Sequence, residues 1–188
     1  MSAQQSLAQW LHQMCKQITE PIARLEPGEV DALVNDLCRA KHIFLYGVGR
    51  EGLMMRALTM RLYHLGLAAH FVGDVTTPAI NGGDWLMVSA GPGQFATVGA
   101  LTAIAKAENA NIALITGNPA ASLRGNVSRC LVLAARTMHD APDAEACLPL
   151  GSAYEGALFV FSEYLVSRMQ MKLLISEEVM RNNHTNLE

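Results

Sequence analysis

Two glycine-rich turns carry the residues of this chain whose types and spacing could do chemistry. The first is GVGREG, residues 47–52, with a charged pair among its glycines: Gly47, Gly49, Arg50 and Glu51. The second is SAGPGQF, residues 89–95, with further small and polar residues: Ser89, Gly91, Gly93 and Gln94. Backbone N–H groups in turns that open helices attract anions. Two such turns on neighbouring strands converge on one small anionic ligand.

The first turn also matches the glycine spacing of dinucleotide-binding proteins. Asp74 lies about twenty residues further on, where such proteins carry a ribose-binding carboxylate. Two helical patterns precede this turn, however, whereas the fingerprint usually opens its domain. Asp74 also leads into VTTPAI, which is typical of a loop. An NAD(P)-dependent oxidoreductase is therefore kept as the less favoured alternative, because no dinucleotide needs the second turn.

Five short apolar runs must position these turns: HIFLYG, AAHFVG, DWLMVSA, NIALITG and RCLVLAA. Helical patterns lie between most of them. Apolar runs without alternation indicate parallel strands buried on both faces. The pattern predicts an α/β fold, a doubly wound three-layer sandwich with a parallel sheet of about five strands.

Helical patterns flank this core on both sides. Apolar spacing predicts one helix over residues 3–24 and a second from Pro27, so residues 1–40 form a helical extension of a single domain in which residues 41–188 are the core. A long helix is predicted from Ser152 to Met180. Residues 135–151 form the longest irregular stretch, and a segment of that length is either a functional loop or disordered.

Composition restricts the class of protein and its partners. Hydrophobic residues make up 51% and charged residues 16%, which predicts that apolar surface is buried in a homo-oligomer, a dimer or tetramer. A net charge of -3 and 6% aromatic residues argue against nucleic acid as the main partner. Scattered cysteines and the lack of a signal peptide or a membrane-spanning run predict a cytoplasmic protein. No spacing suggests a metal site.

Several stretches together resemble the sugar isomerase (SIS) domain family, and within it the 6-phospho-3-hexuloisomerases. They are YGVGREGLMMRALTMRLYHLG, FVGDVTTPAINGGDWLMVSA, ITGNPAASL, PLGSAYEGALFVF and MRNNHTNLE, in family order over some three quarters of the chain. The resemblance implies a five-stranded parallel sheet and a homo-oligomer with sites near subunit interfaces. It also implies aldose–ketose or keto–keto isomerisation of a sugar phosphate through an enediol, without a cofactor.

The resemblance also implies roles for particular residues. Glu155 is the carboxylate that moves the proton, while His64 and His184 line the site, one of them supplied by a neighbouring subunit. Ligand contacts fall on the two turns and on the loop after the second strand: Gly47, Gly49, Arg50, Glu51, Thr76, Thr77, Ser89, Gly91, Gly93 and Gln94. One base that takes a proton from carbon and returns it to the next carbon suits this reaction.

The two turns depart from the family pattern where it binds phosphate. Glu51 stands where hexuloisomerases carry a serine, and its carboxylate is expected to compete for the amides that an anion would use. In the second turn, one residue longer than usual, Pro92 has no N–H and Phe95 no hydroxyl. We expect weakened binding of ordinary sugar phosphates. A non-catalytic or regulatory sugar-binding SIS domain is the alternative from another class.

Overall fold

One parallel sheet forms the centre of the structure, a computed structural model that describes residues 6–187. Its strands are β1 (Ile43–Tyr46), β2 (Ala69–Phe71), β3 (Trp85–Ser89), β4 (Asn111–Thr116) and β5 (Arg129–Val132). They lie in the order β2-β1-β3-β4-β5, and every neighbouring pair is parallel. In the central pair, Ile43 lies opposite Trp85 and Tyr46 opposite Val88. The predicted five-stranded sheet is confirmed.

Helices cover both faces of the sheet. In the described residues they are α1 (Leu7–Ala23), α2 (Pro27–Leu37), α3 (Gly49–His64), α4 (Ala96–Ala107), α5 (Ser152–Leu173) and α6 (Glu177–Asn182), with a short 3-10 helix at Ser122–Asn126. Ser6 caps α1 by accepting from the Gln9 N–H, and Pro27 opens α2, where its missing N–H is no loss. The two predicted N-terminal helices are confirmed over the described residues, which begin after the predicted start at residue 3.

Alternate strand residues divide the core in two. Leu45, Met87 and Ile115 face the cluster formed with α2, α3 and α5. Phe44 and Leu114 face the cluster formed with α4. Because both faces are covered, the central strands have continuous apolar runs rather than alternating ones, such as Ile43–Leu45 in β1 and Trp85–Val88 in β3. The predicted three-layer sandwich is confirmed.

The C-terminal helix is shorter than predicted. The prediction of one helix from Ser152 to Met180 is wrong, because α5 ends at Leu173 and Leu174 takes the left-handed conformation, with φ 56°. Helices often end on such a residue, but it is usually glycine or asparagine, so the leucine gave no signal. After this turn Ser176 caps α6, and the Asn183 side chain donates to the His64 carbonyl oxygen at 2.9 Å. The chain thus turns back towards α3.

Both glycine turns lie at the topological switch point of the sheet. From β1 the chain passes to β2 at one edge, whereas β3 leads towards β4 and β5 at the other. The carboxyl ends of β1 and β3 are therefore neighbours, and residues 47–52 follow one while residues 89–95 follow the other. Ligands of doubly wound sheets bind at this point. The topology brings the two turns together as the sequence predicted.

Candidate active site

A cavity of 470 Å³ opens beside the two turns. Its walls come from the first turn, the start of α5, Phe95 of the second turn and the irregular segment before α5. The irregular segment contributes Thr137, Met138, Pro149 and Leu150. Apolar side chains thus surround a small number of polar groups, which is typical of a small-molecule site. The segment at 135–151 contains neither helix nor strand, and it forms one wall of this cavity.

Glu155 lies in this cavity, in the first turn of α5. Its side chain is only 14% exposed and forms an ion pair with Arg50, which opens α3 and is 66% exposed. The Arg50 Nε donates to Glu155 Oε2. The N-terminus of α5 also favours a negative charge at this position. Two residues far apart in sequence therefore form one charged pair at the cavity wall.

Glu51 is the second carboxylate of the site, and it is buried, with 6% of its surface exposed. Its carboxylate accepts hydrogen bonds from Ser89 Oγ at 2.6 Å and from the Gly91 N–H at 3.0 and 3.2 Å. Burial raises the pKa of Glu51, an effect that the bonds from Ser89 and Gly91 oppose and that the nearby Glu155 charge reinforces. The predicted competition for turn amides is seen at Gly91.

Tyr154 completes the buried group behind the cavity, and the sequence prediction missed it. Its hydroxyl lies 3.0 Å from Ser89 Oγ and 3.0 Å from the Ile115 carbonyl oxygen. Complete burial, together with the Glu51 charge, raises the pKa of Tyr154 well above its ordinary range. The available signal was its position next to Glu155 in GSAYEG. Tyr154 thus joins Ser89 to the end of strand β4.

The other residues of the two turns that were predicted to contact the ligand are three glycines and Gln94. The glycines allow close approach or a positive φ of the backbone. A side chain on Gly47 would lie 2.9 Å from the Gly52 nitrogen, and Gly93 has φ +98°, which favours glycine. Gln94 is exposed and accepts from Ser122 Oγ at 3.2 Å. Gly49, with φ +58°, lines the cavity where α3 begins. These residues place the two turns against each other.

The loop after β2 lies outside the cavity lining. Thr77 Oγ1 donates to the Phe71 carbonyl oxygen at 2.8 Å, and Thr76 is exposed. Asp74 pairs with Arg56 at 2.8 Å, and that guanidinium stacks 3.8 Å from the centre of the Phe71 ring. The carboxylate that the dinucleotide interpretation needs is therefore already paired, and the threonine pair does not meet Glu155 in the described chain.

His64 and His184 lie together, but at the other end of α3. Their ring centres are 4.9 Å apart, and both line a separate cavity of 340 Å³ with Arg61, Glu163 and Arg181. His64 is buried, whereas His184 is exposed. His64 lies fourteen positions after Arg50 on the same helix, a distance of about 20 Å at 1.5 Å per residue. One chain therefore does not bring the histidines to Glu155.

Within residues 6–187, no group of three or more His, Cys, Asp or Glu side chains could hold a metal ion. None of the helices described there combines the length and hydropathy that crossing a bilayer requires.

Known proteins resemble this chain over nearly its whole length, although no family model matches it. The 3-hexulose-6-phosphate isomerase of Mycobacterium gastri is 33% identical over 172 residues, covering 92% of this chain and 86% of that protein. A Methanococcus jannaschii structure, whose inferred function is 3-hexulose-6-phosphate isomerase, superposes with a TM-score of 0.77 at 26% identity, covering 96% of both chains.

The same fold occurs in more distant proteins. The sugar isomerase domain of an RpiR transcription factor from Sphaerobacter thermophilus superposes with a TM-score of 0.75 at 16% identity, covering 96% of both chains. At 16% identity, that likeness shows the fold alone. The Mycobacterium gastri protein, with 33% identity over 92% of this chain, shows the family. The chain belongs to the 3-hexulose-6-phosphate isomerase family of sugar isomerase (SIS) domain proteins.

Proposed function

We propose that this protein is a phosphosugar isomerase-like enzyme that moves a carbonyl group between adjacent carbon atoms of a sugar, with Glu155 as the base. The observation that carries the proposal is the position of Glu155, a largely buried carboxylate in a cavity at the switch point of the sheet. The relative from Mycobacterium gastri is named for the same class of reaction. Arg50, paired with Glu155, keeps a positive charge where substrate oxygens would enter.

The proposed reaction needs one proton moved between carbons and one between oxygens. Glu155 takes the proton from the hydroxyl-bearing carbon next to the carbonyl, and the electron pair forms the enediol double bond as the carbonyl oxygen gains a proton. Glu155 then returns its proton to the former carbonyl carbon, while the other hydroxyl loses its proton and becomes the new carbonyl. A second polar group must move the oxygen-bound proton, and imidazole can do so near neutral pH.

We further propose that a neighbouring subunit supplies that imidazole. His64 lies about 20 Å along α3 from Arg50, the ion-pair partner of Glu155, and His184 lies beside His64. Large apolar side chains on α3 and α5 are exposed in the single chain: Leu53, Met60, Tyr63, Phe159, Val160 and Tyr164. Such a surface supports a homo-oligomer. In this arrangement the histidines of one subunit approach the cavity of the next.

The test is exchange of carbon-bound hydrogen with solvent. The purified protein is incubated in deuterated water with hexuloses, each with and without a 6-phosphate, and incorporation is followed by NMR. Incorporation at the carbon next to the carbonyl, together with formation of the isomer, is expected for at least one sugar. Thermal stabilisation by a sugar without exchange or turnover would identify a non-catalytic sugar-binding protein instead.

A further inference from the structure

The second glycine turn has no N–H group left for a ligand at its three central positions. The Gly91 N–H donates to the Glu51 carboxylate, and the Gly93 N–H donates to the Ala90 carbonyl oxygen at 2.8 Å. Between them, Pro92 has no N–H. The Ser89 hydroxyl also donates to Glu51, at 2.6 Å. Two donors of this turn, the Ser89 hydroxyl and the Gly91 N–H, therefore hold a carboxylate of the chain itself.

The Glu51 carboxylate is fitted into this position by its neighbours. An added Cβ at Gly91 would lie 2.9 Å from Glu51 Oε1 and 2.8 Å from the Tyr154 ring, so only glycine leaves room for both. An acidic residue in the first turn of a helix is common because the dipole favours it, but such a residue is ordinarily exposed. Glu51 is instead buried and bonded on the side of the second turn.

The charges around the cavity also oppose a phosphate dianion beside this turn. Two carboxylates line the cavity, Glu51 and Glu155, and among the lining residues the only guanidinium, that of Arg50, is paired with Glu155. Like charges placed close together in a partly buried site repel strongly. A dianion could enter the turn only after Glu51 gained a proton or moved away.

We propose that Glu51 is a specificity-determining residue that occupies the anion position of the second turn and selects sugars whose group facing that turn is uncharged. This deepens the proposed function and rests on it, because it concerns the substrate of the same cavity. The preferred ligand class is a sugar that presents a hydroxyl, rather than a phosphate, to the Glu51 carboxylate, which lines the cavity. A hydroxyl can donate to the Glu51 carboxylate, whereas a phosphate dianion cannot.

The test is the binding of a matched pair of sugars, fructose and fructose 6-phosphate, measured by titration calorimetry. The full-length protein is compared with Glu51→Ser and Glu51→Gln. Glu108→Gln is the control, because it removes one exposed carboxylate at the end of α4, away from the cavity. Glu51→Gln removes the charge but keeps the size of the side chain. If Glu51→Ser fails to fold, Glu51→Gln therefore still shows whether the Glu51 charge weakens phosphate binding.

We expect the unmodified protein to bind fructose 6-phosphate no more than about threefold more tightly than fructose. Glu51→Ser should tighten fructose 6-phosphate binding about tenfold or more, since charge-assisted donors become available, while fructose binding changes little. Glu108→Gln should change neither affinity. The proposal is overturned if the unmodified protein already prefers the phosphate at least tenfold, or if neither Glu51 variant gains affinity for it. Isomerase activity is read separately by solvent exchange, so the two proposals can fail independently.

Discussion

The two ends of helix α3 differ in how the chain uses its charged groups. At the N-terminal end, here called the carboxylate end, Arg50, Glu51 and Glu155 are bonded to one another or to the second turn. At the C-terminal end, the histidine end, His64 and His184 line a cavity with Arg61 and Arg181. The helix dipole accounts for acid at one end and base at the other. It does not account for the burial of Glu51, which depends on the second turn.

Glu155 and the two histidines line different cavities, and the histidine cavity has carboxylates of its own, those of Glu163 and Glu177. The carboxylate end has Glu155 without a lining histidine, and the histidine end is about 20 Å away along α3. This separation is the basis of the proposal that Glu155 meets the histidines of a neighbouring subunit on assembly. Four experiments test this division, from the largest expected effect to the smallest.

Replacing the base should have the largest effect. Glu155→Gln keeps the size of the side chain but cannot accept the proton from carbon, so we expect turnover to fall about 100-fold or more. Ligand affinity should change only a few-fold. Solvent deuterium exchange into the sugar is the measurement, with Glu108→Gln as the matched control. Retained exchange in Glu155→Gln would remove Glu155 from the role of base.

Mixing two inactive variants tests whether the ends meet between subunits. Glu155→Gln and His184→Asn each remove one group, so each is expected to be impaired alone. After unfolding and refolding together, a symmetric dimer would regain roughly a quarter of the wild-type sites, because one site of each mixed dimer is intact. Recovered turnover is the measurement. If mixing restores nothing while sedimentation shows mixed oligomers, the two groups do not act across a subunit boundary.

Packing at the carboxylate end should make Gly91 intolerant of a side chain. Gly91→Ala places a Cβ 2.8 Å from the Tyr154 ring and 2.9 Å from Glu51 Oε1, and such overpacking costs about 1–3 kcal/mol of the free energy of unfolding. Gly99→Ala is the control, because a Cβ there meets nothing within 4 Å and lies within helix α4, where alanine is stabilising. If urea denaturation gives the two variants the same free energy of unfolding, Gly91 is not tightly packed against Glu51 and Tyr154.

The smallest effect concerns pH. Burial raises the pKa of Glu51 in the folded chain above its ordinary value of 4.5. The folded state then holds this proton more tightly than the unfolded state does. The protonated Glu51 carboxyl therefore makes its full contribution to the free energy of unfolding below about pH 4.5, and that contribution is lost as the pH rises through the pKa of the folded state. Raising the pH from 5 to 8 should therefore lower the stability of the unmodified protein more than that of Glu51→Gln.

Calorimetric melting at both pH values measures this difference. Each kcal/mol moves the melting temperature of a chain of this size by about 2–4 °C. Glu108→Gln serves as the exposed control and should follow the unmodified protein. Parallel pH profiles for the unmodified protein and Glu51→Gln would mean that burial does not raise the pKa of the Glu51 carboxyl.

The sheet could be predicted from the sequence because local pattern and burial agree there. Strand β3 is buried at every position and apolar up to Val88, and the glycine turns follow β1 and β3 directly. The end of α5 could not be predicted, since the apolar spacing continues into Val179 and Met180 while Leu174 turns the chain. Nothing in the local pattern marks a leucine as left-handed.

The candidate site was predictable in its residue types but not in its geometry. The glycine pattern and the family resemblance identified Glu51 as an unusual group, and its contact with Gly91 follows from the order of strands. The placement of Tyr154 depends on long-range packing against Ser89 and Ile115, which periodicity does not report. The separation of His184 from Glu155 likewise depends on where the chain turns after α5.

The contact of Gly91 with both Glu51 and Tyr154 also restricts the order in which this lineage could have changed. A side chain at position 91 would crowd the glutamate, so we expect glycine to have been present there before glutamate was accepted at position 51. Once both neighbours were in place, position 91 could no longer vary without a loss of stability. Among related sequences, glutamate at position 51 should therefore occur only together with glycine at position 91, whereas glycine at position 91 should also occur alone.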